Sequence, residues 1–249
     1  MRILLVNHQF IMSGAAVMLS QIADILLADG HDISVATLDS TEGPMAQPYR
    51  DRGIPLLRDF KLRGYDLVIA NTLLAARIVV QTEPAIPTIW WIRETEYGLK
   101  LLEKNPEWRK AFDMASRIVF PGATMRDNVF QSFLYKRRPD EVLIVPNGLD
   151  LPKPPPKVER NKRKYRIVNV GTMDRRKRQL DLIRAVDILD RDDIELVLIR
   201  LDGALQNDAK KVALADPKRY HMLDQRSREE TYGWIASAFV CREPCGVSG

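Results

Sequence analysis

Short apolar runs alternate with amphipathic stretches almost from the first residue, and that rhythm leaves few folds open. The runs are Ile3 to Val6, Ile33 to Leu38, Ile54 to Leu57, Leu67 to Ala70, Thr88 to Ile92, Ile118 to Phe120 and Val142 to Val145. Each has the length of a strand and is apolar at consecutive positions, the pattern of parallel strands covered on both faces. Between the first two, Ala15 to Asp29 carries Val17, Leu19, Ile22, Ile25 and Leu26 at helical spacing and stops at Gly30, a C-terminal helix signal. Strand, helix and strand make one βαβ unit. Its repetition predicts an α/β domain with a mainly parallel sheet over residues 1–150.

A change of composition interrupts the alternation. Pro152, Pro154, Pro155 and Pro156 oppose helix, so residues 151–165 read as an extended Pro/Lys-rich linker. Between Leu151 and Arg166 the local charge is +6, against +5 for the whole chain, so the remainder is about neutral. Cations confined to one segment do not resemble a surface that follows a nucleic acid, and nucleic acid is not expected as a partner. Beyond the linker the strands resume at Ile167 to Val170, Ile194 to Ile199, Tyr220 to Leu223 and Phe239 to Cys241. They predict a second α/β domain over 166–249. That domain reads as truncated, because Gly249 follows the last run with no helix to cover the sheet edge. The opening run is too short for a signal peptide and no run reaches the length of a membrane span, so a cytoplasmic location is expected. Cys241 and Cys245 read as free thiols.

Chemistry-bearing residues cluster where strands end. After Gly171 and Thr172 come Arg175, Arg176, Lys177 and Arg178, then Leu180, Leu182, Ile183, Val186, Ile188 and Leu189 at helical spacing. This reading places the cations in a helix's first turn, where the macrodipole disfavours them and an anion relieves the repulsion. A phosphate site is one explanation and a solvated basic face the other. Ser13-Gly14-Ala15 opens the first helix with small residues that let a ligand approach, although a plain strand-to-helix turn would look the same and the GxGxxG fingerprint is missing. Arg93-Glu94 follows the fifth strand, at the carboxyl edge that lines ligand crevices in open α/β sheets; a surface ion pair or helix cap is the alternative. Trp90 and Trp91 should point to opposite faces and read as core. Pro146-Asn147-Gly148 reads as a turn, and Glu243 as another carboxyl-edge acid.

Taken in order, Ser13-Gly14-Ala15, Gly30-His31-Asp32, Pro146-Asn147-Gly148, Gly171-Thr172 with Arg176-Lys177, and Glu243-Pro244-Cys245-Gly246 resemble the family 4 retaining glycosyltransferases. The resemblance implies a GT-B architecture: two Rossmann-like domains, the acceptor mainly on the first and the nucleotide sugar mainly on the second. It also implies metal-independent transfer from a nucleotide-diphosphate sugar, with no cofactor beyond that co-substrate. The acceptor would be a sugar, a lipid-linked molecule or a small molecule, with peripheral membrane contact where it is a lipid.

By the same resemblance Gly14, beside Ser13, matches the glycine loop near the acceptor and the donor phosphates, and Lys177 the lysine that neutralises the diphosphate. Thr172 stands where many members have an arginine, whose role passes to Arg175 or Arg176. Glu243 matches the first acid of a Glu-x7-Glu motif beside the donor sugar, with Gly246 in the contacting turn; the second acid would fall two positions past Gly249. Arg93 replaces a histidine common in the family. It is a permanent cation and no base near neutral pH, so it is a catalytic candidate, with Glu243, by charge stabilisation. Two other readings stay open: a catalytically incompetent fragment or nucleotide- or partner-binding remnant, and a sugar-nucleotide epimerase of related architecture.

Overall fold

A computed structural model describes residues 1–148, 154–201 and 205–241 of the chain. Two compact units divide it, Met1–Gly148 and Leu149–Gly249.

The first unit is built on β1 (Arg2–Asn7), β2 (Asp32–Thr37), β3 (Leu56–Leu57), β4 (Leu67–Asn71), β5 (Thr88–Trp91), β6 (Arg117–Phe120) and β7 (Val142–Ile144). All pair in parallel, in the order β3-β2-β1-β4-β5-β6-β7. The order reverses between β1 and β4. At such a switch point the flanking connections leave for opposite faces, opening a crevice at the carboxyl ends of the strands. Helices α1 (Gly14–Ala28), α2 (Gln47–Asp51), α3 (Ala76–Gln81), α4 (Tyr97–Lys104) and α5 (Ala111–Met114) cover the sheet.

Period-two alternation divides β1 between two cores. Leu4 and Val6 join Trp90, Phe112, Phe120 and Phe130 on one face, while Ile3 and Leu5 meet Leu19, Ala23 and Tyr49 on the other. Each such aliphatic side chain, fully buried, stabilises the fold by about 1.5–3 kcal/mol. The α1 stripe differs from the periodicity reading. Leu19 is buried and Val17 and Leu26 are partly buried on the same core, as the spacing predicts, but Ala16 and Ala23 are buried beside them and Ile25 is 62% exposed. Small residues at three of the four buried positions, Ala16, Ser20 and Ala23, let the helix axis approach the strands closely, which larger residues there would prevent.

The second unit contains β8 (Tyr165–Thr172), β9 (Ile194–Leu201), β10 (Tyr220–Leu223) and β11 (Val240–Cys241), parallel in the order β10-β9-β8-β11. Its helices are α6 (Gln179–Leu189), α7 (Gln206–Ala215) and α8 (Arg228–Ser237). Arg166, the last cation of the basic segment, is no part of a solvated run: its Nε donates to Glu195 across β8–β9 at 2.7 Å, and both side chains are buried. A charge sealed inside a sheet needs such a partner. Among the described residues no helix is long and apolar enough to cross a membrane.

Candidate active site

In the first unit the switch point gathers side chains from the carboxyl ends of four strands, β1, β4, β5 and β7. β1 and β4 both finish in asparagine, and the two are buried side by side: Asn71 Nδ2 donates to Asn7 Oδ1 at 3.2 Å and to the Ala15 carbonyl at 3.1 Å. Asn71 Oδ1 accepts from Arg93 Nε at 2.7 Å, and Arg93 Nη1 donates to Asn147 Oδ1 at 2.8 Å. One amide thus links the first turn of α1 to the arginine. The Ser13-Gly14-Ala15 turn and Arg93, read separately in the sequence, belong to one cluster. Ser13 is the N-cap of α1, accepting from the Ala16 N–H at 3.3 Å. Gly14 opens the helix, and a Cβ there would meet nothing within 4 Å.

Arg93 also lies over the Trp91 ring, 4.2 Å from its centroid, a cation–π contact that offsets part of its lost hydration. Its Nη2 and the Trp91 Nε1 are buried without hydrogen-bond partners among the described residues. Burial pulls the guanidinium down to about 10, opposed by the charge of Glu94, so it stays cationic at neutral pH. Trp90 is core as expected, donating through Nε1 to the Thr72 carbonyl; Trp91 is half-buried and serves as the arginine's platform. Glu94 turns inward, where it accepts from the backbone N–H groups of Leu73 at 2.7 Å and Arg93 at 3.1 Å. Burial raises its pKa above the ordinary value, and those N–H groups oppose the rise. The surface ion pair considered for Arg93-Glu94 is therefore replaced by two separate anchorages.

His8, Asn7, Asn71, Thr72 and Asn147 were not singled out as site residues by sequence. The available signal was a polar residue closing each apolar run at the switch point, Asn7 after Val6 and Asn71 after Ala70. Asn147 was visible only as a turn residue. Beside the cluster, a cavity of about 430 Å³ is lined by Thr37, Leu38, Arg58, Phe60, Arg77 and Gln81, among others. Thr37 joins the two, since its Oγ1 donates to the His8 carbonyl at 3.2 Å.

In the second unit the basic run takes a different form from the one expected. Arg175–Lys177 is a separate 3-10 turn capped by Asp174, whose carboxylate accepts from the Lys177 N–H at 2.9 Å. Arg178 then adopts a left-handed backbone, φ 52°, and α6 begins only at Gln179. The cations precede the helix instead of occupying its first turn, where the charge is Asp181. The macrodipole repulsion that motivated a phosphate there is relieved by this break and by the ion pair of Arg178 with Asp181 at 2.7 Å. What remains is the turn itself. Gly171 supplies a φ of 155° at the end of β8, and the Thr172 carbonyl accepts from Gln179 Nε2 at 2.8 Å, leaving the buried Gln179 Oε1 without a partner among the described residues. Gly171, Thr172, Arg175 and Lys177 come together on this turn; the Arg176 side chain, Glu243 and Gly246 lie outside the described residues. Of the helix's apolar positions, Ile183 and Val186 are buried, whereas Ile188 is 83% exposed.

Residues 1–105 match the family model described as Glycosyl-transferase family 4. No curated protein matches the chain in sequence. Among solved structures it is similar to Anabaena Alr3699/HepE in complex with UDP and glucose, at 15% identity and a TM-score of 0.74, over 96% of this chain and 73% of that one. An α-glucosyltransferase in complex with UDP and a 13-mer DNA gives 11% identity and a TM-score of 0.62, over 96% and 71%. A putative UDP-N-acetylglucosamine 2-epimerase from Listeria monocytogenes gives 12% and 0.55, over 96% and 73%. At these identities the likeness establishes the fold, α/β of GT-B type, which transferases and an epimerase share.

Proposed function

We propose that the chain is a glycosyltransferase that moves a sugar, with retention, from a nucleoside-diphosphate donor to a hydroxyl acceptor. The observation that carries this reading is the match of residues 1–105 to Glycosyl-transferase family 4. The UDP named in the complexes of two structural neighbours supports a uridine nucleotide as donor.

The chemistry is leaving-group stabilisation. As the glycosidic bond breaks, its electron pair passes to the diphosphate, and preorganised cations hold that charge better than reorganising water does. Arg175, Arg176 and Lys177 are assigned to the diphosphate, with the Gly171-Thr172 turn giving the backbone room to approach it. Arg93 is assigned to charge stabilisation, because its fork is fixed by Asn71 and Asn147. The acceptor is assigned to the first unit, where the open space at Gly14 and the cavity beyond Thr37 offer room. Glu243 and Gly246 remain assigned to the donor sugar by resemblance alone. Nucleic acid is left out of the proposal on the chain's own charge distribution, and a cytoplasmic location is retained.

The test is UDP release from a panel of UDP-sugars, with and without sugar and lipid-linked acceptors. Lys177→Ala and Arg176→Ala should each lower turnover by about 10²–10³-fold, the range for removing one transition-state charge partner; wild-type kinetics in both would remove the phosphate assignment. The likeness to the Listeria epimerase supports a second reading, epimerisation of the nucleotide sugar itself. A new sugar nucleotide formed without acceptor, and without UDP release, would favour it.

A further inference from the structure

The backbone at the end of β4 is in a conformation its residue type does not choose. Thr72 has φ 74° and ψ 162°, a region occupied almost only by glycine and especially unfavourable for a β-branched side chain. The surroundings hold it there: its N–H donates to the Trp91 carbonyl at 2.8 Å, and its own carbonyl accepts from Trp90 Nε1 at 2.9 Å and from the Ala75 N–H at 3.2 Å. Glycine would meet the same bonds without strain. What threonine adds is a hydroxyl, and that hydroxyl lies 3.3 Å from His8 Nδ1.

His8 directly follows Asn7 of the switch-point cluster, and its carbonyl is tied down by Thr37. Its Nε2 has no partner among the described residues and is not sealed from solvent. We propose that Thr72 is a positioning residue for His8, taking the Nδ1–H so that the Nε2 lone pair accepts a hydrogen bond from a hydroxyl group of the acceptor. Only the naming of that hydroxyl as the acceptor's rests on the glycosyltransferase reading.

The electrostatics agree. Burial lowers the His8 pKa, opposed by Asp39 beyond β2; the Thr72 hydroxyl just after β4 faces the ring, Thr37 of β2 holds only the His8 carbonyl, and the first turn of α1 holds no acid. The ring is therefore neutral near pH 7, with one nitrogen free to accept.

The experiment is long-range 1H–15N NMR of the full chain, resolving His8 from His31 and His221. At pH 7.5, a condition set for the ring's neutral form, His8 should show one tautomer with Nδ1 protonated. Thr72→Val, which keeps the β-branch and loses the hydroxyl, should give a tautomer mixture, and Thr72→Ser should restore the single form. Nε2 should shift on addition of at least one of the methyl glycosides of glucose, galactose and mannose. A protonated Nε2 in the wild type, an unchanged tautomer in Thr72→Val, or no shift with any glycoside would each overturn the inference. Where a UDP-sugar is turned over, His8→Gln and Thr72→Val should lower kcat/KM for the acceptor by about 10–100-fold and leave KM for the donor unchanged. Failure of all UDP-sugars to turn over, with the NMR result as expected, would remove the glycosyltransferase reading and leave the Thr72–His8 pair standing.

Discussion

Arg93 shows how much a single side chain depends on partners far away in sequence. Its Nε and Nη1 reach Asn71 and Asn147, residues 22 and 54 positions distant, in directions set by the planar fork. Lysine carries the same charge on one nitrogen and cannot span both amides while stacking on Trp91. Arg93→Lys should therefore cost about 1–3 kcal/mol of stability, read from denaturant midpoints; an unchanged midpoint would show that the amides hold nothing. Glu94 gives a pH signature. Its folded pKa is raised above 4.5 by burial, so the protonated form is the favoured one in the fold, and stability falls as pH rises from 4.5 through the folded value. Glu94→Gln imitates the protonated form. Its melting temperature relative to wild type should climb with pH across that window; a flat difference would mean that the carboxylate is compensated by the Leu73 and Arg93 N–H groups. At this scale the sequence revealed Arg93 by its place after a strand. It concealed Asn7, Asn71 and Thr72, because nothing in a linear order shows which strand ends become neighbours at a switch point.

Elements were far more legible, since consecutive apolar residues leave a strand little choice. Every apolar run named from sequence coincides with a strand or overlaps one. Helix limits were harder. Helical spacing carries α6 back into the cations, whereas Arg178, a non-glycine residue in a left-handed conformation, delays its start to Gln179 without any composition signal. The packing of α8 was equally hidden. A Cβ on Gly233 would stand 2.6 Å from the Pro156 carbonyl and 3.2 Å from Val158 Cγ2, so the proline-rich segment lies directly on the helix at a point only glycine permits. Gly233→Ala must push backbone aside and should destabilise the second unit by about 1–3 kcal/mol, despite alanine's better helix propensity. A stabilised variant would show that the segment yields freely.

At the scale of the whole chain, each unit carries its own core. The first buries both faces of a seven-stranded sheet, and the second packs Val186, Leu196 and Leu198 on one face of β9 and Val197 and Ile199 on the other. Independent cores imply that the first unit does not need the second in order to fold. Expressed alone, residues 1–148 should unfold in one cooperative transition and keep the Arg93–Asn147 bond, which lies entirely within it. The connecting stretch sets the companion prediction. Arg160, Lys162 and Arg163 are exposed and lie outside any helix or strand, as do Arg58, Lys61 and Arg63 of the first unit, whereas Arg166 and Arg137 are held by ion pairs and largely buried. Trypsin needs several residues of extended, accessible chain, so its first cuts should fall in these two segments, 58–63 and 160–163, before any helix or strand is cut. Early cleavage inside α4 or at Arg117 would instead show that the first unit opens more readily than its two-faced core requires.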